Sequence, residues 1–559
     1  MNTKKFISLV LGIIALNVFS EFAFVRFDLT KDKRYTLSQV SKDLVKQVDE
    51  PMTVTLFLDG KLPHSFKKMQ TEVKHLVKEY QSNNSNIKLE LLDLIANDTP
   101  ENASKINGLY EKGMRPLSVS ISEKGKQSQE MIFPWGTISY KGKEILFPLL
   151  KNTMAMSTEE TINSSVQHLE YAISDAIKKA VWDKDKKIAI IKGIGEPHDI
   201  EIADLLMSLR ESYYIAPFVL DSVAKKQLET QEHLKEFDAI LVNKPNKDFS
   251  EAELQVLDQY IVNGGKALFF IDQVQADKDS LSNTGNLLAY PKDNSLGNLF
   301  FKYGVRINPV LVKDEVGTPI KLAVGKQGSQ TQYEEFVWKF SPYSYPTSLH
   351  PIVKNIEGVK FDFTSTIDTL KNDVKKTILL HSSPYSKTVG TPTMISLQMI
   401  DEEVNPEEYQ GKGNLPLAVL LEGDFTSMYH NRIKAFEDKN FKDKGQNNQI
   451  IVVADGDVVR NQLDQNLAPL ELGYDKWTNK LYGNKDFVLN SINYLLDDFG
   501  ILNLRTKEVQ LALLDKNKVS ENYSFIQLKM TVLPLVVISI FGGIFVYLRK
   551  KKYGKIVTN

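Results

Sequence analysis

The chain has 559 residues, enough for several domains, and its 69 Lys and Arg nearly balance 70 Asp and Glu. That balance argues against a nucleic-acid binder, which would carry a basic face. There is no cysteine, which excludes disulfides, thiolate catalysis and Cys-ligated zinc; this suits an oxidising compartment without identifying one.

The first element is an apolar segment, Phe6–Phe27. Lys4 and Lys5 precede it, Ser20 and Glu21 interrupt it, and Phe22–Val25 continue it. No small-x-small cleavage site follows Phe19, so residues 1–27 read as a retained membrane anchor rather than a cleaved signal. Glu21 is expected near the far interface, where a carboxylate costs less, or against a partner helix.

Residues 28–150 then read as a first soluble domain. Ser38 is placed to cap a helix over Gln39–Val48, and Pro51 ends that piece. Met52–Leu58 alternates as a strand. A helix over Phe66–Tyr80 puts Met69, Val73, Leu76, Val77 and Tyr80 on one stripe. Ile87–Leu94 is a second strand, and Arg115-Pro116 precedes a third over Leu117–Ser122. Two further strands end near Leu150. This order resembles a thioredoxin-like domain, with Pro116 in the place of the proline before that fold's third strand. Lacking a Cys-x-x-Cys pair, it would be a non-redox version.

Residues 151–185 carry a linking helix, Ser157–Trp182. Residues 186–500 alternate strands with helices, which implies an α/β unit with a parallel, doubly wound sheet. Lys186–Gly193, Ile215–Leu220, Ala239–Asn243, Lys266–Ile271 and Gln449–Ala454 are the strands. Ser250 and Glu253 form a capping box for a helix through Val262. Asp486–Leu496 is the last helix of the unit. Residues 283–445 read as a large insertion whose clearest strands are Ile378–His381 and Leu417–Glu422. The polar stretch Lys439–Asn448 is expected to be a mobile loop. Residues 501–530 return the chain toward a membrane.

Residues 531–559 hold the second span and a basic tail. Thr531–Leu548 carries no charge, close to the ~20 apolar residues a spanning helix needs. Arg549, Lys550, Lys551 and Lys552 follow as a cytoplasmic flank. Pro534 reads as a first-turn residue, where a missing N–H costs little. Gly542 and Gly543 would let a neighbouring helix approach closely. Two spans put both termini on one side. Lys4, Lys5, Arg549–Lys552 and Lys555 outweigh Arg26, Lys31, Lys33 and Arg34, so both termini are expected to be cytoplasmic, with Asp28–Met530 outside.

Motifs for chemistry are sparse. Gly193-Ile194-Gly195 follows a strand but lacks the third glycine of a dinucleotide turn. Gly264-Gly265-Lys266 precedes a strand, whereas a phosphate-binding loop leads into a helix. There is no Gly-x-Ser-x-Gly elbow and no His-Glu-x-x-His, and the 8 histidines are scattered. Asp455 and Asp457 could ligate a cation at a strand's end but read more simply as a solvated turn. His198 reads as a turn residue rather than a general base. No catalytic set, cofactor or metal is expected.

Several stretches carry a resemblance. They are RFDLTKDKRYTLS at Arg26–Ser38, GIGEPH at Gly193–His198, NGGKALFFID at Asn263–Asp272, GNKDFVLNSINYLLDD at Gly483–Asp498 and the terminal LPLVV and RKKKY. In this order, spread over nearly the whole chain, they resemble the GldG gliding-motility family of Bacteroidetes and the wider family of ABC-transporter auxiliary proteins. The resemblance implies a bacterial inner-membrane protein with a periplasmic body. Its partners would be an ABC permease (GldF-like) and a separate cytoplasmic ATPase (GldA-like), with a periplasmic envelope protein as a further candidate. It also implies a central unit shared with intraflagellar-transport proteins and shaped like class I amidotransferases without their nucleophile. The alternatives are a membrane-anchored envelope enzyme or small-ligand receptor using the turns near His198 and Asp455, and a structural envelope adaptor.

Overall fold

The computed structural model describes residues 36–95, 100–111, 113–123, 126–151, 158–220, 226–507 and 516–553. The expected N-terminal span, Glu21 and most of the Arg26–Ser38 stretch lie outside these residues. The described chain is mixed α/β. Residues up to Val509 make one compact unit, and Gln510 onward a second.

The first sheet is built on β1 (Met52–Leu56), whose alternation buries Met52, Val54 and Leu56. It pairs parallel with β2 (Ile87–Leu91) and antiparallel with β5 (Trp135–Tyr140). β5 pairs antiparallel with β6 (Lys143–Pro148), giving the order β2-β1-β5-β6. Between β1 and β2 runs α2 (His64–Asn83), which buries Met69, Val73, Val77 and Tyr80 of the expected stripe together with Phe66, while Leu76 is half-buried. The strand after Pro116 is not the sheet's third strand. β3 (Leu117–Glu123) and β4 (Lys126–Ile132) form a separate hairpin, and Pro134 directly precedes the strand that pairs with β1. A strand beside β1 is covered on both faces. Trp135–Tyr140 meets that demand by burying Gly136, Thr137, Ile138 and Tyr140, whereas the β4 sequence KQSQEMI is largely polar.

The expected linking helix is α3 (Thr158–Val181). It packs along β5, β6 and α2, burying Ile162, Val166, Leu169, Ile173 and Ile177. Its Glu170 is a fastening point. Glu170 Oε1 accepts from the Ser38 N–H (2.8 Å) and the Ser41 hydroxyl (2.8 Å), just before and inside α1 (Gln39–Val45). Its Oε2 accepts from Lys507 Nζ (2.7 Å), which also donates to the Thr36 carbonyl (2.8 Å). The chain just after residue 35 and just before residue 508 is thus held at one buried carboxylate.

The second sheet has seven strands. β8 (Tyr214–Val219), β7 (Lys187–Lys192), β9 (Ala239–Asn243), β10 (Lys266–Phe270) and β13 (Asn448–Val453) run parallel in that spatial order. β12 (Pro416–Gly423) and β11 (Lys375–His381) extend it antiparallel beyond β13. The sheet is therefore mixed, and the two clearest strands of the expected insertion belong to it. Successive side chains point to opposite faces. Ile188, Ile190, Leu241, Leu268, Phe270 and Ile451 pack under α5 (Asn484–Leu496) through Phe487, Val488 and Ile492. Ala189, Ile191, Ile240, Val242, Phe269 and Val452 pack under α4 (Glu251–Val262) through Leu254, Leu257 and Ile261. The Ser250–Glu253 capping box is present.

The α4 helix is buried on its polar side as well. Gln255 Oε1 accepts from Ala435 N and Phe436 N, and Gln259 Oε1 from Lys442 N. Asp258 accepts from Ser427 Oγ (2.6 Å), Met428 N (2.8 Å) and Tyr303 O–H (2.9 Å). The polar loop that the sequence leaves free is pinned along this helix, with Asn448 Nδ2 donating to the Ile261 carbonyl.

The second unit holds α6 (Tyr523–Tyr553), the one helix among the described residues long and apolar enough to cross a membrane. Its 30-residue span, at about 1.5 Å per residue, is about 45 Å long. It starts before Thr531, so Pro534 lies inside the helix rather than in its first turn and removes one interior N–H donor.

Candidate functional site

Parallel strands deliver their carboxyl ends to one edge of a sheet, where α/β proteins assemble sites. Here each of three adjacent strands runs into a charged residue: β9 into Lys244, β10 through Ile271 into Asp272, and β13 through Ala454 into Asp455. The register pairs Phe270 with both Asn243 and Val453, which sets Asp272 level with Asp455 and Lys244 beside them.

The ends interlock. Lys244 Nζ lies 3.1 Å from Asp272 Oδ2 and pairs with Asp457 Oδ1. Asp272 Oδ1 accepts from Gly456 N–H (2.6 Å). Asp455 accepts from Asp362 N–H (2.7 Å) and Asp457 N–H (2.7 Å). Gly456 is required by the close approach: a Cβ there would lie 2.6 Å from Lys244 Cβ. Lys244 itself sits at φ +44°, a strained region for a side chain of its length. Arg460 closes the group, with one guanidinium nitrogen 2.9 Å from Asp457 Oδ1 and the other on Glu201 Oε1.

The expected solvated turn at Asp455–Asp457 is in fact largely withdrawn from solvent, with Asp455 fully buried and Asp457 half-buried. Burial pushes the Asp455 carboxyl well above the usual carboxylate range, and the nearby Asp457 and Asp272 charges add to the push. Burial also opposes the charge on Asp457, but Lys244 and Arg460 hold it below its ordinary value. Lys244 is raised above its ordinary value, since its two carboxylate partners outweigh burial. Ligand oxygens of Asp272, Asp455 and Asp457 lie within 4.8 Å of one another, a spacing that could hold a cation, but the Lys244 ammonium already serves that part.

The two turns singled out in the sequence do come together, through residues the sequence reading passed over. Gly193 (φ +84°) and Gly195 (φ +73°) shape the turn after β7. His198 is exposed, and its backbone N–H donates to Glu201 Oε2 (3.0 Å). Glu201, not His198, reaches the cluster, by way of Arg460. Lys244, Asp272, Arg460 and Glu201 were the missed members. A signal was there: a charged residue directly behind each apolar run, in VNK, FID and VAD.

Beside this cluster lies a cavity of about 610 Å³. Glu201, Asp457 and Arg460 of the cluster line it. So do Lys278, Lys360, Asp362, Asp475 and Trp338. Lys360 Nζ lies 2.9 Å from Asp475 Oδ2.

An α/β unit with a site at the carboxyl ends of its parallel strands is thus the class this chain falls in. The chain belongs to the family described as ABC-type uncharacterized transport system (ABC_transp_aux), whose model matches residues 185–491, more than half of the chain. A second model, a domain of unknown function (DUF7088), matches residues 31–139. The chain is similar to an uncharacterized protein of Borreliella burgdorferi, 21% identical over 539 residues and covering 94% of each chain. Among solved structures it is similar to the mmIFT52 N-terminal domain, at 13% identity and a TM-score of 0.33, over 58% of this chain and 100% of that one. A likeness at that score carries no argument here.

Proposed function

We propose that the protein is a non-catalytic, membrane-tethered subunit of an ABC transport complex, partnering a separate GldF-like permease and a cytoplasmic GldA-like ATPase. The family match over residues 185–491 carries this reading. The α6 helix, ending in Arg549, Lys550, Lys551 and Lys552, supports a C-terminal span with its basic end in the cytoplasm and the body on the periplasmic side of the inner membrane. A Cβ built on Gly542 or Gly543 meets nothing within 4 Å, so α6 offers a small-residue face to a permease helix. The GldG-like stretches support a role in gliding motility.

The non-catalytic reading draws on the strand-end carboxylates, which are engaged by Lys244, Arg460 and backbone N–H groups. We read residues 28–150 as a thioredoxin-like domain without redox cysteines, supported by the order β2-β1-β5-β6. We read the larger sheet as amidotransferase-like, supported by its five parallel strands with helices on both faces.

Purification of the tagged full-length protein from native membranes in mild detergent tests the complex. A permease and an ATPase in stoichiometric amounts are the expected result. A soluble envelope protein in their place would favour the adaptor reading. Gly542→Leu with Gly543→Leu should lower permease recovery, and unchanged recovery would remove α6 as the contact.

A further inference from the structure

The chain is 25% charged, yet no Asp, Glu, Lys or Arg occurs between Lys339 and Lys354. Residues 345–355 form an irregular loop held at three points. Thr347 Oγ1 lies 2.8 Å from His381 Nε2, at the end of β11. The His350 ring meets the Tyr494 ring of α5 at 4.7 Å between centroids. Lys354 Nζ donates to the Thr506 carbonyl (3.2 Å) and Asn355 Nδ2 to the Arg505 carbonyl (3.1 Å). Pro346 and Pro351 fix φ on either side of the tip. Between them Ser348 Oγ accepts from the His350 N–H (3.2 Å), a tight turn with Leu349 at its apex. Ile352 and Val353 turn inward and are fully buried, whereas Leu349 is 71% exposed and Tyr345 57%.

The third point places the loop. Arg505 and Thr506 directly precede Lys507, at the body's end on the way to α6, and Lys507 Nζ also holds the Thr36 carbonyl (2.8 Å). Both ends of the body are therefore gathered beside the base of this loop. From Leu349 to Lys354 the chain spans at most about 18 Å. From Phe27, the expected end of the N-terminal span, to Thr36 it reaches at most about 32 Å. The apolar tip is thus carried on the part of the body that a membrane tether keeps close.

We propose that the 345–351 loop rests on the lipid bilayer, with Leu349 in the boundary between headgroups and acyl chains and the Tyr345 ring at the headgroup level. This rests on the reading of the chain as membrane-tethered. A tyrosine ring suits that depth, with its apolar body toward the chains and its hydroxyl toward water. The missing charges remove the main cost of bringing the loop there. Two apolar side chains would not hold a free protein on a membrane, but the tether makes the contact intramolecular, so a small gain suffices. A loop already pinned at three points adds little ordering cost. A second exposed apolar pair, Leu288 and Met394, sits in register on a small sheet. Its strand leads into Lys292, whose N–H donates to the Gln273 carbonyl (2.9 Å) just beyond Asp272, so it belongs to the strand-end region and serves as the control.

The chain has no native cysteine, so single cysteines introduced into the full-length protein in lipid nanodiscs take one label each. An environment-sensitive fluorophore at Leu349→Cys should be quenched several-fold more by a nitroxide near the lipid headgroups than by one near the acyl-chain ends. Tyr345→Cys should agree. Ile540→Cys, within α6, should show the reverse order, and Leu288→Cys little quenching by either. A Leu349→Cys label left unquenched while the Ile540→Cys label is quenched overturns the loop contact and leaves the tether standing. An unquenched Ile540→Cys label removes the tether reading and this proposal with it. Quenching at Leu288→Cys equal to that at Leu349→Cys would mean general adhesion and overturns the assignment to this loop. A Leu349→Cys label covered only once a permease is added also overturns it, in favour of a protein contact.

Discussion

Two of the buried lysine–carboxylate groups in this molecule are built on opposite plans. At the α3 fastening point, Glu170 meets Lys507, Ser38 and Ser41, so one carboxylate faces one ammonium and its oxygens are satisfied. At the strand ends, Asp272, Asp455, Asp457 and Glu201 share only Lys244 and Arg460. The first balances its charge and acts as a fastener between chain segments distant in sequence. The second carries more carboxylate than cation, and its Asp455 is raised, by burial first and by the neighbouring Asp457 and Asp272 charges next. Unbalanced titratable groups gather at functional sites more than at structural ones, and here the unbalanced group borders the cavity.

The sharpest break of this contrast is Lys244→Met. It strips the central cation from Asp272 and Asp457, and removing one member of a buried ion group costs about 3–5 kcal/mol. Denaturant unfolding of the full-length protein in detergent should show that loss, and a cost under about 1 kcal/mol would mean that Arg460 alone balances the cluster.

Glu170→Gln should cost less, about 1–3 kcal/mol, since the amide keeps one acceptor for Ser38 and Ser41 and Lys507 keeps the Thr36 carbonyl but loses its carboxylate. Its pH dependence is a sharper mark. Burial opposes the Glu170 charge, but Lys507 and the hydrogen bonds from Ser38 and Ser41 prevail and lower it from the ordinary 4.5. A carboxyl lowered in the folded state contributes stability above its unfolded value and loses it as pH falls through its folded value. The gap between wild type and Glu170→Gln should therefore be widest above pH 4.5 and close below it. Asp455 carries the opposite sign, because its folded value is raised: its contribution falls as pH climbs past the ordinary aspartate range. A gap that widens on acidification would show that Glu170 is not charged in its clasp.

The smallest expected effect is at a site remote from both groups. Ser250→Ala removes one half of the α4 capping box and should cost about 1 kcal/mol in the same unfolding measurement. It sets the scale of an ordinary local loss against which the two ion groups are read.

Much of the fold was legible. The strands β7, β9, β10 and β13 stand out because a strand covered on both faces must be apolar at nearly every position. Local hydrogen bonds made Ser38 and the Ser250–Glu253 pair readable as helix starts. The candidate site was half legible: Asp455, Asp457 and the Gly193–Gly195 turn were in view, while Lys244, Asp272, Arg460 and Glu201 were not. Those four lie in separate stretches and gain meaning only when the sheet sets the strand ends side by side. The Gln255, Asp258 and Gln259 face of α4 was not legible for a related reason. On a helix drawn alone it belongs in water, and it is dry because the segment 427–448 supplies the backbone partners.

By itself the sequence determined what local chemistry determines. It showed the apolar runs, the caps, the absence of thiols and a terminal segment long enough to span a bilayer. Tertiary structure alone decided which strands joined the sheet, which proline preceded the strand beside β1, and which lysines met which carboxylates. Sheet pairing and ion pairing depend on distance in space, and segments such as Thr36 and Lys507, far apart in the chain, become neighbours only when the fold closes.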